Sequence, residues 1–360
     1  MNQGGLFITL YDKDTLQLYL DEGVYGQHMT PQYGEPSSQS AHYRTLADYA
    51  AAREGKHVFF FLDREIYYGG QIVGSDEYGA FYINGQKSPM GREANAPLVW
   101  DESPRENYEE TDEAGVFDAG GDRGEKCQPF LIQFEDNEDM AGRYVISDQL
   151  YFELGEYPYP LPSNSIAGMG FCTITPGETD ILLDLLENDH EGEIETVSDE
   201  PVQLDGDPVP FSPEYGVDSP EEAHPESHLE ASLIANPELL PEHMQPDDAT
   251  ICRQVPISPF KPADMDKADV CYFTEEMIRD GTIPNTVLEL KIRKAGKSAA
   301  LQVKRYLKWL HDRLGDEANQ ITIHVYAPGF TSTFDGYIPD RLLSQVEKYN
   351  FTTDGTQAHF

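Results

Sequence analysis

The chain has 360 residues, 39% of them hydrophobic and 11% aromatic, enough apolar material for two cores of ordinary domain size. It carries 65 Asp and Glu against 25 Lys and Arg, a formal net charge of −40, which by itself disfavours a nucleic-acid partner and matches the surface of a protein from a salty (halophilic) cytoplasm. No apolar run reaches the roughly 18 residues of a membrane span, and the first residues lack a basic stretch followed by an apolar one, so the expectation is a cytoplasmic protein with no membrane partner.

In chain order, residues 6–10 read as an opening strand and 14–23 as a short helix with an Asp cap and a Gly stop. Residues 42–53 read as a second helix. A meander follows, with strands at 57–62, 65–73 and 80–83, turns at Asp63-Arg64 and 76–79, and a bulge at Gly69-Gly70. Residues 101–126 are acidic and Gly-rich and read as a long loop. Strands resume at 129–134 and 143–152, and 179–187 reads as a helix. The expectation for 1–187 is a β-rich, barrel-like domain, in which Phe59, Phe61, Tyr67 and Tyr68 either fill the interior or stack on bases.

Residues 188–222 read as an extended linker: from Asp189 to Glu222 there are twelve acids, five prolines and no Lys or Arg. The second domain is then expected over 223–360, as an α/β unit with a mixed sheet. Its charge is nearly balanced, with 14 bases and 20 acids against 11 and 45 over residues 1–222, so a nucleic-acid site belongs here first. Ser227 and Glu230 have the spacing of a capping box, which gives Glu230 one reading as a helix cap. Strands are expected at 252–257 and 268–273. Asp269 enters the apolar run of the second, whereas Asp264 and Asp266 compete with it for a chemical role but read as caps of a solvated turn.

Residues 285–292 form a further strand, on which Glu289 and Lys291 alternate with Leu288, Leu290 and Ile292 and so share one face. A helix over 298–314 follows, its apolar residues Ala300, Val303, Leu307, Leu310 and Leu314 at helical spacing, with Gln302 and Tyr306 one turn apart. From Lys291 to Lys308 there are seven Lys or Arg and no acid, a local inversion of sign. The chain closes with a strand at 320–326, a loop, and a helix at 340–349. Cys127, Cys172, Cys252 and Cys271 form no CxxC pair, which points to buried thiols rather than zinc or disulfides.

Glu289-Leu290-Lys291 followed by Gln302-Val303-Lys304-Arg305-Tyr306 resembles the ExK strand and QxxxY helix of the PD-(D/E)xK nucleases, RecB-like branch. Over roughly 227–330 the chain also resembles the C-terminal domain of NucS-type endonucleases. Over 4–185 its pattern is similar to PUA-like domains of the EVE and ASCH kind, which hold modified bases. The resemblance implies a restriction-endonuclease-like fold and a divalent-metal-dependent endodeoxyribonuclease whose N-terminal domain selects modified, mismatched or otherwise distinctive double-stranded DNA, in restriction or repair. It implies Mg²⁺ or Mn²⁺ held by Asp269, Glu289 and the Leu290 carbonyl. Lys291 would attend the attacking water, Gln302 and Tyr306 the DNA or metal waters, and Glu230, in its other reading, a metal water. Cutting both strands implies a homodimer. The rival reading is a non-catalytic nucleic-acid-binding protein on the same fold, with Glu289 and Lys291 a surface ion pair.

Overall fold

The computed structural model describes residues 3–31, 39–74, 81–83, 109–112, 115–136, 139–154, 171–195, 226–235, 240, 249–261, 264–353 and 358–359. The N-terminal half comprises β1 (Gly5–Thr9), α1 (Lys13–Glu22), β2 (Val24–Gly26), α2 (Gln39–Ala50), β3 (His57–Leu62), β4 (Glu65–Val73), β5 (Phe81–Ile83), β6 (Glu109–Glu110), β7 (Phe117–Asp118), β8 (Glu125–Lys126), β9 (Phe130–Glu135), β10 (Arg143–Ile146), α3 (Ser147–Leu154), β11 (Cys172–Ile174), α4 (Pro176–Asn188) and β12 (Gly192–Glu193). Nine of these strands make one sheet in the order β11-β1-β3-β4-β10-β12, with β9 also on β4 and carrying β2 and β5.

Among the described strands this sheet forks, and they form no closed barrel of the kind expected from the meander. The cause lies in the two glycines. Val58 pairs Gly70 and Phe59 pairs Tyr68, which leaves Gly69 as the bulged residue and twists β4 at its centre. Gly70 has φ 141°, and a Cβ there would stand 2.4 Å from the Glu135 carbonyl oxygen, so only glycine lets β9 approach. Residues 65–67 of β4 pair β10, while 71–73 pair β9. Before the fork, Asp63 and Arg64 both take positive φ, 51° and 71°, as a two-residue hairpin turn requires.

One face of the sheet packs Tyr19, Tyr25, Tyr49, Phe60, Tyr67 and Phe171 together, and the other packs Phe7, Phe59 and Tyr68 under Leu182 and Leu186 of α4, with Phe61 half-buried beside them. The aromatics of the meander are therefore core. Other elements differ in detail from expectation. The strand expected over 143–152 stops at Ile146, whose amide donates to Gln149 Oε1 at 2.9 Å as α3 begins. The loop expected over 101–126 contains the small sheet β6-β7-β8. Of the acidic stretch 188–222, residues 188–195 end α4 and form β12, which pairs with β10, and 196–222 lie outside the described residues.

The C-terminal half comprises α5 (Glu226–Ala235), β13 (Thr250–Lys261), β14 (Asp264–Phe273), β15 (Thr286–Leu290), α6 (Lys297–Leu314), β16 (Thr322–Ala327), β17 (Val346–Asn350) and the short pair β18 (Thr352–Thr353) and β19 (Ala358–His359). Its main sheet runs β13-β14-β15-β16-β17, antiparallel through β15 and parallel after it, the mixed sheet that was expected. α6 covers one face through Val303, Leu307 and Leu310. α5 covers the other through Leu229, Leu233 and Ile234, where Ala50 and Ala51 at the end of α2 join the same cluster. The two halves are thus in contact, and polar bonds cross between them: Lys56 Nζ donates to the Ile251 carbonyl at 2.8 Å, and Thr173 Oγ1 to the Arg253 carbonyl at 2.8 Å.

Two expectations in this half are corrected. The helix expected over 340–349 is a 3-10 turn, Asp340–Gln345, followed by β17, because Val346 to Asn350 pair with β16 and Tyr349 stacks on Tyr326 at 5.0 Å. Asp266 does not cap a turn, since it pairs with Ser258 two residues into β14, and the Asp264 side chain lies outside what is described. No helix among the described residues is long and apolar enough to cross a membrane.

Candidate active site

β14 and β15 place the first two carboxylates. Val270 pairs Leu288 and Cys271 pairs Val287, so Asp269 and Glu289 come next in line, on the face that looks towards α6. The backbone amide of Leu290 donates to Asp269 Oδ2 at 2.7 Å, which ties the two strand ends together. Glu289 is fully buried. Lys291 Nζ lies 2.7 Å from Glu289 Oε1 and 4.0 Å from Asp269 Oδ2, and donates to the Leu290 carbonyl at 2.7 Å.

α6 brings the next pair. Tyr306 is buried, and its hydroxyl is 2.7 Å from the Lys267 carbonyl and 3.1 Å from Glu289 Oε2, while Gln302 Nε2 donates to that hydroxyl at 2.7 Å. Asp269, Glu289, Lys291, Gln302 and Tyr306 therefore meet in one cluster. Glu230 does not touch Glu289 directly. Its Oε2 accepts from Arg253 Nε at 2.7 Å and its Oε1 from Gln254 Nε2 at 3.1 Å, and Gln254 Nε2 also reaches Asp269 Oδ1 at 3.2 Å. Ser227 lies inside α5, and the Glu230 carboxylate is taken up by these helix-to-strand bonds.

Asp266 is held by Arg305 in a two-pronged ion pair, at 2.5 and 2.9 Å, whereas Asp269 stands beside Lys291. Three members were not foreseen. Glu226, the first residue of α5, stands 3.4 Å from Lys291 Nζ, and Arg253 and Gln254 lie on β13. Glu226 is one turn before Glu230, so two acids at i and i+4 on a helix with no other Asp, Glu, Lys or Arg are the available signal. Nothing local distinguishes Arg253 or Gln254.

Burial, and then the charge of Asp269, raise the Glu289 carboxyl to about 8 against the opposing pull of Lys291 and Tyr306. Burial also raises Asp269, with Lys291 and the Leu290 amide opposing. For Lys291 burial works to lower the value, but Glu289, Asp269 and Glu226 together outweigh it and raise it, so the side chain is a firm cation. The cluster thus concentrates three acids around one Lys.

Glu289 Oε1 is buried and turned towards positive charge, with the Lys291 ammonium 2.7 Å away. Such an oxygen fits a cation. Among the described residues no three His, Cys, Asp or Glu are grouped closely enough for a complete protein cage. A hard cation that keeps several waters needs only one or two carboxylates, and Asp269, Glu289 and the Leu290 carbonyl match that demand. Beside the cluster, Arg293, Lys294 and Lys297 are exposed at the start of α6.

No family model matches this chain, and no curated protein does. Among solved structures it is similar to a repair endonuclease from Pyrococcus abyssi, with 26% identity over 36% of this chain and 47% of that one and a TM-score of 0.23. It is similar to EndoMS in its apo form, with 22% identity over the same shares and a TM-score of 0.23. It is also similar to EndoMS in a complex with double-stranded DNA, with 15% identity over 91% of this chain and 97% of that one and a TM-score of 0.22. The matched stretch spans about half the length of the first two, at 47% of each.

Proposed function

We propose that this protein is a divalent-metal-dependent endodeoxyribonuclease that hydrolyses phosphodiester bonds of double-stranded DNA at the Asp269, Glu289, Lys291 cluster. The observation that carries the reading is the fully buried Glu289, set beside Asp269, Lys291 and Tyr306 and next to a cation-rich helix start in a chain of net charge −40. A surface ion pair would not be buried in this way.

Mg²⁺ or Mn²⁺, when bound, would neutralise phosphate charge and lower the pKa of a bound water. Asp269, Glu289 and the Leu290 carbonyl would hold it. Lys291, a cation as placed, would orient the attacking water and offset charge on the phosphate, and could act as a base only if a bound cation lowered its affinity for the proton. Tyr306 fixes one oxygen of Glu289 and is itself fixed by Gln302, so the helix sets the carboxylate's rotamer. Glu230 acts through Gln254. The exposed Arg293, Lys294 and Lys297 would take the DNA backbone. We also place target selection, whether of a modified base for restriction or of a mismatch for repair, in the N-terminal half, and expect two copies to act together on a duplex.

The test is cleavage of plain, mismatched and base-modified duplexes with Mg²⁺ or Mn²⁺, comparing wild type with Glu289→Ala, Asp269→Ala and Lys291→Ala. Each variant should fold and lose cleavage, Glu289→Ala with weaker Mn²⁺ binding and Lys291→Ala with binding kept. Nearly full metal-dependent cleavage by Glu289→Ala would overturn the assignment. Light scattering with and without DNA tests the pairing of copies.

A further inference from the structure

Gln254 sits in the interior of β13 with a left-handed backbone, φ 52°, although its neighbours are in regular register, Arg253 with Val270 and Val255 with Ala268. The other described non-glycine residues with positive φ, Asp63, Arg64, Asp139, Arg279 and Asp280, lie in turns or short helical loops. A long side chain in this conformation is strained, and such strain persists where surrounding contacts enforce it. Here the contacts are two carboxylates. The Gln254 amide stands between Glu230 Oε1 and Asp269 Oδ1, at 3.1 and 3.2 Å, and separates two acids that would otherwise face each other.

Glu230 is in turn fixed. Arg253 donates to it through Nε at 2.7 Å and forms a second ion pair with Asp48 of α2; all three side chains are buried. The Arg253 backbone is clamped on Thr173 Oγ1, at 2.7 Å through its amide and 2.8 Å through its carbonyl. A continuous polar chain therefore runs from α2 through Arg253, Glu230 and Gln254 to Asp269, whose other oxygen is held by the Leu290 amide. Both Asp269 oxygens are oriented.

We propose that Gln254 is a positioning residue for the metal site: its amide, held in a strained conformation on β13 and anchored through Glu230 and Arg253 to α2, sets the direction in which Asp269 presents its carboxylate. This rests on the reading of Asp269 and Glu289 as cation ligands. Removing such an outer partner ordinarily weakens metal binding about 10- to 100-fold.

The test uses full-length Gln254→Gly, which deletes the amide while relieving the backbone, and Gln254→Asn, which tolerates the left-handed conformation but is one methylene short. Mn²⁺ affinity is measured by calorimetry and folding by thermal unfolding, with Glu289→Ala alongside. The expected result is an unfolding temperature for Gln254→Gly equal to or above wild type, with Mn²⁺ affinity weakened about 10-fold or more in both variants. Affinity within twofold of wild type in a folded variant, while Glu289→Ala loses the metal, overturns the positioning role alone. A wild type that binds no Mn²⁺ overturns this inference together with the nuclease reading. Failure of both variants to fold marks Gln254 as structural and also overturns it.

Discussion

Two buried clusters, one on each main sheet of this molecule, hold polar groups in opposite ways. In the forked N-terminal sheet, His57 is enclosed and met by Tyr68 and Gln71 at 3.0 and 3.1 Å, and burial lowers it to about 4, so a neutral ring sits among neutral partners. In the C-terminal sheet the equivalent depth holds Glu289, Asp269 and Lys291, with Glu230 and Arg253 behind them, a cluster of ionisable groups whose charging burial opposes. The first arrangement satisfies hydrogen bonds and adds nothing else. The second costs stability that a hydrophobic filling would not, which is the pattern expected where chemistry and not packing decides the residues.

The strongest way to break this contrast is at Arg253. Arg253→Ala would leave Asp48 and Glu230 buried without their cation and should cost about 3–5 kcal/mol in urea unfolding. A loss below about 1 kcal/mol would mean the acids are neutral and the charged reading of the junction is wrong. Next come the two apolar cores. Leu307→Ala, on the stripe of α6, should cost about 2–5 kcal/mol and lower activity only in proportion to unfolded protein, and Phe60→Ala in the N-terminal core about 3–5 kcal/mol.

A graded effect sharpens the electrostatic side. With Glu289 at about 8 in the folded protein and near 4.5 when unfolded, the neutral form is favoured by folding. Its contribution is fully present below pH 4.5 and lost as pH rises through about 8, with a slope of up to about 1.4 kcal/mol per pH unit. Glu289→Gln should remove that slope from the metal-free protein, as read by urea midpoints from pH 5 to 9, and saturating Mn²⁺ should flatten it in wild type. The smallest effect is expected at Arg64→Ala, whose ion pair with Asp148 at 2.6 Å is exposed on both sides, and should change stability by less than about 0.5 kcal/mol.

The site's centre was legible because its parts are local. Glu289 and Lys291 alternate on a short strand, and Gln302 and Tyr306 repeat at one helical turn, so each pair's face follows from periodicity. Glu226, Arg253 and Gln254 were not, because they come from elements separated in sequence and are recruited by strand pairing that no local pattern encodes. The fold shows the same limit. Residues 340–349 place Leu342, Val346 and Tyr349 at a spacing that suits a helix, and only the edge of β16 decides for a strand. The small sheet within 109–126 is held by two-residue strands, too short for alternation to register. In β4 the glycines gave the bulge, but not that it would split the sheet between two partners.

That split has a consequence for how the chain breathes. β4 is paired along its length by β3, and its two ends are claimed by different strands, β10 and β9. Exposing all of its amides to solvent requires β3 and both arms of the fork to part, whereas β5 or β12 can be released by losing a single neighbour. Hydrogen exchange should therefore find β4 among the last amides to acquire deuterium, protected close to the level of global unfolding, with the arms exchanging through separate and cheaper openings. Among the described strands, the fork makes β4 the post from which both arms hang.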